Sequence, residues 1–368
     1  MKIVLTGGGT GGHIFPLIAV AKKIKAKKPE VQFLFIGPKG KLEEEVFGKE
    51  GIPTKNIMAG KVRRYFSWLY FIDFVKLPIG FIQALWLLLR YMPDAIFSKG
   101  GYASIPVVLA GWIYRIPILT HESDSIPGVA NSFIGKFSQR VAVSYPEAEK
   151  EFPAEQVVLT GNPIREDILQ GNAQRIREKL GLTNSKKIIF VYGGSQGAKN
   201  INEKILDILP KIIKKYQIIH QTGEKNFEEV TRKAGELGFK AGREGYEPIA
   251  FVGDDLKDIL AAADLVITRA GANSISEIAA NGKPTILIPI AKSANDHQRM
   301  NAYSLARSGA AIVLEESNLG EHLLMGRIDE ILENQELNQK LSEGIKKFYH
   351  PDAAEKIADG IIELADGN

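Results

Sequence analysis

The stretch Asp264–Glu277, DLVITRAGANSISE, decides how the rest of the chain reads. Leu265-Val-Ile-Thr268 is apolar and β-branched, which predicts a short buried strand. Ala270-Gly271-Ala272 is too small and flexible to continue it. A helix is expected to open at Asn273 or Ser274, with Ser274 and Glu277 spaced as an S-x-x-E capping box. A strand that ends in a small-residue turn and opens a helix aims backbone N–H groups and the positive helix end at one spot. Such a spot suits a phosphate, although most S-x-x-E boxes only start a helix.

Two more glycine turns of this kind strengthen the phosphate reading. Lys2-Ile-Val-Leu-Thr6 predicts a strand, Gly7-Gly-Gly-Thr-Gly-Gly-His13 a tight turn, and Ile14 to Lys27 a helix with Leu17, Val20, Ala21 and Ile24 on one face. Strands are expected at Val31–Ile36, Ala95–Ser98, Ile118–His121, Arg140–Ser144 and Val157–Thr160, alternating with helical segments. The rhythm restarts at Lys187–Tyr192, which runs into Gly193-Gly-Ser-Gln-Gly197. Further strands are expected at Ile218–Gln221, Ile249–Val252, Leu265–Thr268, Thr285–Pro289 and Ala311–Val313. Alternating β and α predicts parallel sheets, here two Rossmann-like α/β domains joined near Gly161-Asn-Pro-Ile-Arg165. A last helix, roughly Ala353–Ala365, can pack on either domain.

The 368 residues suit two domains of ordinary size. The absence of cysteine excludes disulfides, thiolate metal sites and a cysteine nucleophile. The N-terminus has too short an apolar run for a signal peptide. Residues 1–162 carry 20 basic and 13 acidic side chains, a net +7, whereas residues 163–368 carry 27 and 30, a net −3. The first half is therefore expected to face something anionic.

The segment from Lys61 to Met92 breaks the pattern. Its uncharged run, Leu77 to Leu89, is 13 residues long, short of the ~18–20 that span a bilayer. It reads either as a buried helix or as an interfacial patch. In the second case Trp68, Phe71, Phe74, Phe81 and Trp86 dip into lipid, and Lys61, Arg63, Arg64, Lys76 and Arg90 meet anionic headgroups.

Gly7, Gly9 and Gly12 satisfy the G-x-G-x-x-G fingerprint, but the second strand ends Phe35-Ile36-Gly37-Pro38 without the carboxylate that would hold an NAD ribose. No G-K-[ST] closes a Walker loop, and no D-x-D or H-E-x-x-H is present to hold a metal. His13 falls at a helix start, where the positive helix end keeps an imidazole neutral and able to accept a proton. Ser195 adds a hydroxyl donor to its turn, and Arg165 is placed to act as a charge clamp. Ser98-Lys-Gly-Gly-Tyr-Ala-Ser104 is a glycine turn of the first half. Asp296-His-Gln298 supplies polar groups suited to sugar hydroxyls.

These pieces in this order resemble the MurG family of bacterial peptidoglycan glycosyltransferases. The motifs that carry the resemblance are GGGTGGH at 7–13, SKGGYAS at 98–104, HESDSIPGVAN at 121–131, GNPIR at 161–165, GGSQGAKNIN at 193–202, RAGANSISEIAANGKP at 269–284 and NDHQRMNA at 295–302. The resemblance implies a GT-B fold, two Rossmann-like parallel-sheet domains facing across a cleft. Residues 1–162 with a C-terminal helix at about 350–368 would form the acceptor and membrane-associated domain, and 163–349 the donor-binding domain. It implies the donor UDP-GlcNAc, the acceptor undecaprenyl-pyrophosphoryl-MurNAc-pentapeptide (lipid I), and lipid II as product. It also implies an anionic inner-membrane surface met through 61–92 at the cytoplasmic face, with no cofactor, metal or nucleic acid.

Carried over by position, the donor-binding residues are Thr10, Gly11, Gly12, Arg165, Ser195, Val252, Ala272, Asn273, Ser274, Glu277 and Gln298. Glu277 is expected at the ribose, Phe251 and Val252 at the uracil, and Gln298, with His297, at the sugar. Gly100, Gly101, Tyr102 and Asn131 are expected at the acceptor, and His13 is the expected catalytic base. Asp124 departs from the asparagine of some members, and Phe251–Leu256 is one residue longer than in some relatives. The reaction expected is a single in-line displacement by the acceptor 4-hydroxyl, inverting the anomeric carbon to a β-1,4 link. The rivals are a GT-B synthase with a diacylglycerol acceptor, a UDP-GlcNAc 2-epimerase of similar fold and a non-catalytic sugar-nucleotide-binding subunit. Segment 61–92 argues against the epimerase, whose substrate is soluble, and the joint presence of His13 and Glu277 argues against the subunit.

Overall fold

Apolar strands bounded by glycine turns form two separate, wholly parallel sheets in the computed structural model, which describes residues 1–9, 11–59, 69–194, 197–239, 242, 245–291 and 294–367. Thr10, Ser195, Lys61, Arg63, Arg64 and Trp68 lie outside the described residues. The first sheet contains β1 (Lys2–Thr6), β2 (Gln32–Gly37), β3 (Thr54–Asn56), β4 (Ala95–Ser98), β5 (Ile118–Glu122), β6 (Arg140–Val143) and β7 (Val157–Leu159), ordered β3-β2-β1-β4-β5-β6-β7. The second contains β8 (Ile188–Tyr192), β9 (Gln217–Gln221), β10 (Tyr246–Ile249), β11 (Leu265–Thr268), β12 (Thr285–Leu287) and β13 (Ile312–Val313), ordered β10-β9-β8-β11-β12-β13. Met1–Arg165 with His350–Asn368 forms one compact unit, and Glu166–Tyr349 the other.

Alternate strand residues serve opposite faces, and the core follows that alternation. In the first unit Ile3, Leu5 and Phe97 pack with Ile14, Leu17 and Ile24 of the helix Gly11–Lys27. Val4, Ile96 and Ile118 pack on the other face with Val107 and Val108 of the helix Ser104–Ile113. The helices that follow β1 and β4 thus cover opposite faces. Each such fully buried aliphatic side chain contributes about 1.5–3 kcal/mol. The closing helix Ala353–Ala365 lies on the helix Gly11–Lys27, where Lys27 reaches Asp359 at 2.6 Å and Glu355 at 2.9 Å.

Two strands depart from the sequence reading. The strand expected at Ile249–Val252 is Tyr246–Ile249, three residues earlier, and it contains Pro248. A proline argues against a central strand, but β10 is an edge strand, where a missing N–H costs no ladder bond. The short β3 was not expected, because Thr54-Lys-Asn56 has no apolar alternation, and its pairing with β2 alone defines it.

The segment of mixed reading forms a 23-residue helix, Leu69–Tyr91. A side-chain carbon on Gly80 would lie 1.9 Å from the Met58 carbonyl oxygen, so glycine lets the helix lean on that chain. The Met58 N–H donates to Gln83 Oε1 at 2.8 Å. Ala84 and Leu88 are buried, while Ile79, Ile82, Trp86 and Leu89 are exposed. Phe81, which the interfacial reading put in lipid, packs against the core as the buried-helix reading has it, because it shares the helix face of Ala84 and Leu88. The side chains of Phe71 and Phe74 lie outside the description. No helix among the described residues is long and apolar enough to cross a membrane.

In the second unit, His220 is fully buried on β9 between Tyr246 OH at 2.9 Å and Asn202 Oδ1 at 3.0 Å. Asn202 Nδ2 donates to the Thr222 carbonyl, so Asn202 Oδ1 accepts from His220 Nε2–H and His220 Nδ1 accepts from the tyrosine. The neutral ring is fully satisfied, and burial pushes its pKa down to about 3. Between pH 6.5 and 3 the unfolded chain binds a proton that the folded one refuses. This contribution to stability is therefore complete above pH 6.5 and is lost on acidification at about 1.4 kcal/mol per pH unit. In urea unfolding of the full chain, His220→Gln is expected to shrink the stability difference between pH 7 and pH 5 by about 2 kcal/mol. An unchanged difference would mean that His220 titrates normally.

Candidate active site

In a doubly wound sheet the ligand crevice opens at the carboxyl ends of neighbouring strands whose helices cover opposite faces. In the first unit those strands are β1 and β4, and the turns leaving them are 7–13 and 98–104. Gly8 and Gly9 hold φ of +131° and +92°, and a side-chain carbon on Gly8 would lie 2.8 Å from Pro38. The following helix starts at Gly11, earlier than expected, so His13 sits in its first turn. His13 Nδ1 lies 3.0 Å from the Gly8 carbonyl oxygen. A carbonyl only accepts, so Nδ1 carries the proton and Nε2 the lone pair. Gly101 stands against that edge, its side-chain position 3.5 Å from Cε1 and 3.7 Å from Nε2.

The His13 pKa is pushed down to about 4, first by burial and then by the Lys99 ammonium, while the Gly8 hydrogen bond and Asp124 pull it up. The neutral ring expected from the helix end is present, with burial and Lys99 as its main causes. Lys99 is only 1% exposed, at the carboxyl end of β4. Burial lowers its pKa, opposed by the carboxylates of Glu122 and Asp124.

Glu122, at the end of β5, is buried and organises the loop after it. Its Oε1 accepts from the Asp124 N–H at 2.8 Å, and its Oε2 from the Gly128 N–H at 3.0 Å and from Asn131 Nδ2 at 2.8 Å. Burial and then the nearby Asp124 raise its pKa, while Lys99 and these donors oppose the rise. Asn131 in turn backs the glycine turn: a side-chain carbon on Gly100, whose φ is +86°, would lie 1.8 Å from Asn131 Oδ1. Ser104 Oγ donates to the Gly100 carbonyl at 2.8 Å, and Tyr102 is half-buried in the same turn. Neither Lys99 nor Glu122 was singled out individually from the sequence. The signal available was a charge placed directly at the end of an apolar strand.

His121 is buried beside this cluster and its Nε2 lies 3.0 Å from the Gly161 carbonyl oxygen. Gly161, with φ +83°, presses on His350, which fixes the start of the 161–165 motif. Arg165 ends that motif with its guanidinium 5.3 Å above the Phe15 ring, on the helix that carries His13. Thr6 Oγ1, His121 Nδ1 and Asn131 Oδ1 are buried without a hydrogen-bond partner. Buried polar atoms are nearly always paired, so three orphans at one sheet edge mark a place for a polar ligand.

In the second unit the corresponding strands are β8 and β11. Gly194 and Gly197 hold φ of +76° and +73°, and a side-chain carbon on Gly197 would lie 2.1 Å from the Thr222 carbonyl. The helix after β11 runs Ala272–Asn281 with extended Gly271 as its N-cap, and no side chain caps it. The expected capping box is therefore absent. Ser274 and Glu277 lie inside the helix, because Gly271 leaves the strand in the conformation a cap requires. The turn is anchored from behind: Asn301 Nδ2 donates to the Ala270 carbonyl at 3.1 Å, and Arg269 pairs with Glu316. Glu277 is buried, and Asn273 and Ser274 are half-buried on the first turn.

Asn295 and Asp296 both hold left-handed φ, 49° and 56°, just before the helix His297–Arg307. That conformation is costly without glycine and is typical of functional sites. Gln298 lies on the first turn, its Oε1 accepting from the Ile290 N–H at 3.2 Å. Phe251 is exposed and Val252 buried in the loop after β10. On β9, in register with Tyr192 and Ile249, Gln221 buries both side-chain amide atoms without partners.

The glycosyltransferase family 28 N-terminal domain matches residues 3–143, and the C-terminal domain of the same family matches residues 188–357. A UDP-N-acetylglucosamine–N-acetylmuramyl-(pentapeptide) pyrophosphoryl-undecaprenol N-acetylglucosamine transferase of Bacillus cereus is 39% identical over 363 residues, covering 98% of this chain and 99% of its own. The enzyme of that name from Clostridium perfringens is 38% identical, covering 99% and 97%. A crystal structure of Acinetobacter baumannii MurG superposes with a TM-score of 0.75 at 25% identity, covering 98% of this chain and 99% of its own. A UDP-GlcNAc 2-epimerase from Neisseria meningitidis reaches a TM-score of 0.73 at 11% identity, covering 99% and 100%, a likeness of fold alone. Both sheets thus have the GT-B arrangement.

Gly100→Ala places a methyl group into Asn131 at a left-handed φ. It is expected to cost about 1–3 kcal/mol in urea unfolding, against near neutrality for Ala substitution at Gly48, where space is open. Equal stability of the two variants would remove the Gly100–Asn131 contact as a constraint.

Proposed function

This chain belongs to the MurG family of glycosyltransferase family 28, and we propose the following division of labour for its reaction. It transfers N-acetylglucosamine from UDP-GlcNAc to lipid I, giving lipid II for peptidoglycan. The observation that carries the assignment of roles is the His13 tautomer, a ring with its lone pair on Nε2 at the β1/β4 crevice. The second unit, with its helix end free of any side-chain cap, serves the donor.

In the second unit the first-turn amides of Ala272, Asn273 and Ser274, with Ser195, bind the donor diphosphate. Glu277 takes the ribose hydroxyls, the Phe251–Val252 loop the uracil, and Gln298 the sugar. In the first unit Gly100, Gly101, Tyr102 and Asn131 bind the acceptor. Thr10, Gly11 and Gly12 approach the donor beside His13, and Arg165 adds charge for the diphosphate. The acceptor 4-hydroxyl attacks the anomeric carbon, its proton passes to His13 Nε2, and the bond to UDP breaks with inversion. The helix end and Arg165 stabilise the charge that develops on the leaving diphosphate.

The protein acts as a peripheral enzyme at the cytoplasmic face of the cell membrane. Support comes from the outward row Ile79, Ile82, Trp86 and Leu89, with Arg90 stacked 5.8 Å from the Trp86 ring. Exposed Trp112 and Ile113 close the neighbouring helix Ser104–Ile113, which packs on the same helix. Apolar side chains beside cations are the composition of an interfacial surface.

Labelled sugar from UDP-GlcNAc should enter lipid only when lipid I is present. Acceptor-independent conversion of the sugar nucleotide would point to an epimerase instead. His13→Ala is expected to lower kcat by about 10²–10⁴ while the dissociation constant for UDP stays within about two-fold. Near-normal turnover would remove His13 as the base. Replacing Trp86 and Leu89 together with serine should weaken binding to anionic vesicles by at least about ten-fold. Turnover of a short-chain, soluble acceptor should be unchanged, and undiminished vesicle binding would place the membrane surface elsewhere.

A further inference from the structure

Phe15 has no task in the reaction as assigned above, yet it stands two residues beyond His13 on the helix Gly11–Lys27. Its neighbours Ile14, Pro16 and Leu17 are buried in the core, whereas Phe15 is only half-buried. A long helical side chain leans back over the turn before it, so residue 15 covers position 11. That position is glycine. A side-chain carbon there would lie 3.1 Å from Phe15 Cε2 and 3.5 Å from Cδ2, so the bare first turn receives one edge of the ring, and any side chain at 11 would press on it. The Arg165 guanidinium lies over the same ring, its carbon 5.3 Å from the centroid. Both residues belong to the first unit, and Arg165 is the last residue before the chain enters the second. Ordering an arginine against a phosphate costs rotamer entropy, and less of it when the side chain is already held. A cation is attracted to an aromatic face by the ring's quadrupole, a contact that orients the guanidinium and leaves its charge whole.

We propose that Phe15 is a positioning residue that acts through Arg165: its ring, seated on Gly11, holds the guanidinium at the end of the helix that carries His13, where its charge meets the leaving diphosphate. The turn 7–13 therefore does more than offer backbone to a ligand. Its Gly11 also makes room for the ring that holds a cation in place. This role rests on the assignment of Arg165 to the diphosphate, and the two can be tested apart.

The experiment is a double-mutant cycle in the full-length protein, read as kcat/KM for UDP-GlcNAc in sugar transfer to lipid I. Phe15→Leu keeps apolar bulk but removes the aromatic face, with Phe15→Met as the alternative should the first fail to fold. It should lower kcat/KM by about three- to ten-fold. Phe15→Tyr, which keeps the face, should stay within about two-fold of the wild type. Arg165→Ala should itself cost at least about ten-fold. With alanine already at 165, the further change Phe15→Leu should cost less than about two-fold, because the group it acts through is gone. Equal losses from Phe15→Leu in the two backgrounds would show a packing role alone and overturn the proposal, as would a tyrosine variant as impaired as leucine. A wild-type Phe15→Leu beside an impaired Arg165→Ala would overturn it too, while keeping Arg165 at the diphosphate. Near-normal transfer by Arg165→Ala would instead remove Arg165 from the reaction, and the role of Phe15 with it.

Discussion

Two parallel strands that sit side by side but send their helices to opposite faces cannot close the space above their carboxyl ends. Every other part of this chain follows from that constraint. It arises between β1 and β4 in the first unit and between β8 and β11 in the second. At each place the turns must bend sharply and expose amides, which is why glycine holds the positive φ positions at 8, 9, 100, 101, 194 and 197. The helices that follow β4, β8 and β11 begin with no side-chain hydrogen bond at the cap. The sheet thus sets both the position and the polarity of a binding edge before any particular ligand is specified.

The first unit adds a buried cluster of charge to this edge. The Glu122 carboxylate gathers three N–H donors and so fixes the loop 124–131, and Asn131 transmits that order to the Gly100 turn. Such burial weakens the fold relative to an apolar core, because each group gives up solvation that hydrogen bonds only partly replace. In the second unit the turn is braced instead, with Arg269 paired to Glu316 and donating to the Ile288 carbonyl just after β12. That arginine follows a strand at the crevice, and it is committed to structure.

The strands of both sheets and the glycine turns are legible because period-two and continuous apolar runs next to glycine have few other meanings. β10 was misplaced because Pro248 hides a strand whose tolerance of proline depends on being at the edge, a property of the sheet order rather than of the local sequence. Ser274 and Glu277 matched a capping box by spacing, but Gly271 already supplied the cap, and spacing alone cannot say which residue leaves the helix. Glu122 and Lys99 escaped notice for a different reason. Their meaning comes from strands 20 or more residues apart meeting in register, which no local window contains. The apolar helix at 69–91 was ambiguous because both a core face and an exposed face read as the same run of letters.

The central claim is that the crevice at the carboxyl ends of β8 and β11 holds the uridine diphosphate. Hydrogen–deuterium exchange of the full chain, with and without saturating UDP, tests it most directly. The account predicts new amide protection concentrated in residues 193–198, 250–253 and 271–275, with little change at 18–25 and 50–53, where the helix Gly11–Lys27 and the chain after residue 49 line a separate cavity of about 350 Å³. Protection that appears at that cavity and spares the turns would contradict it.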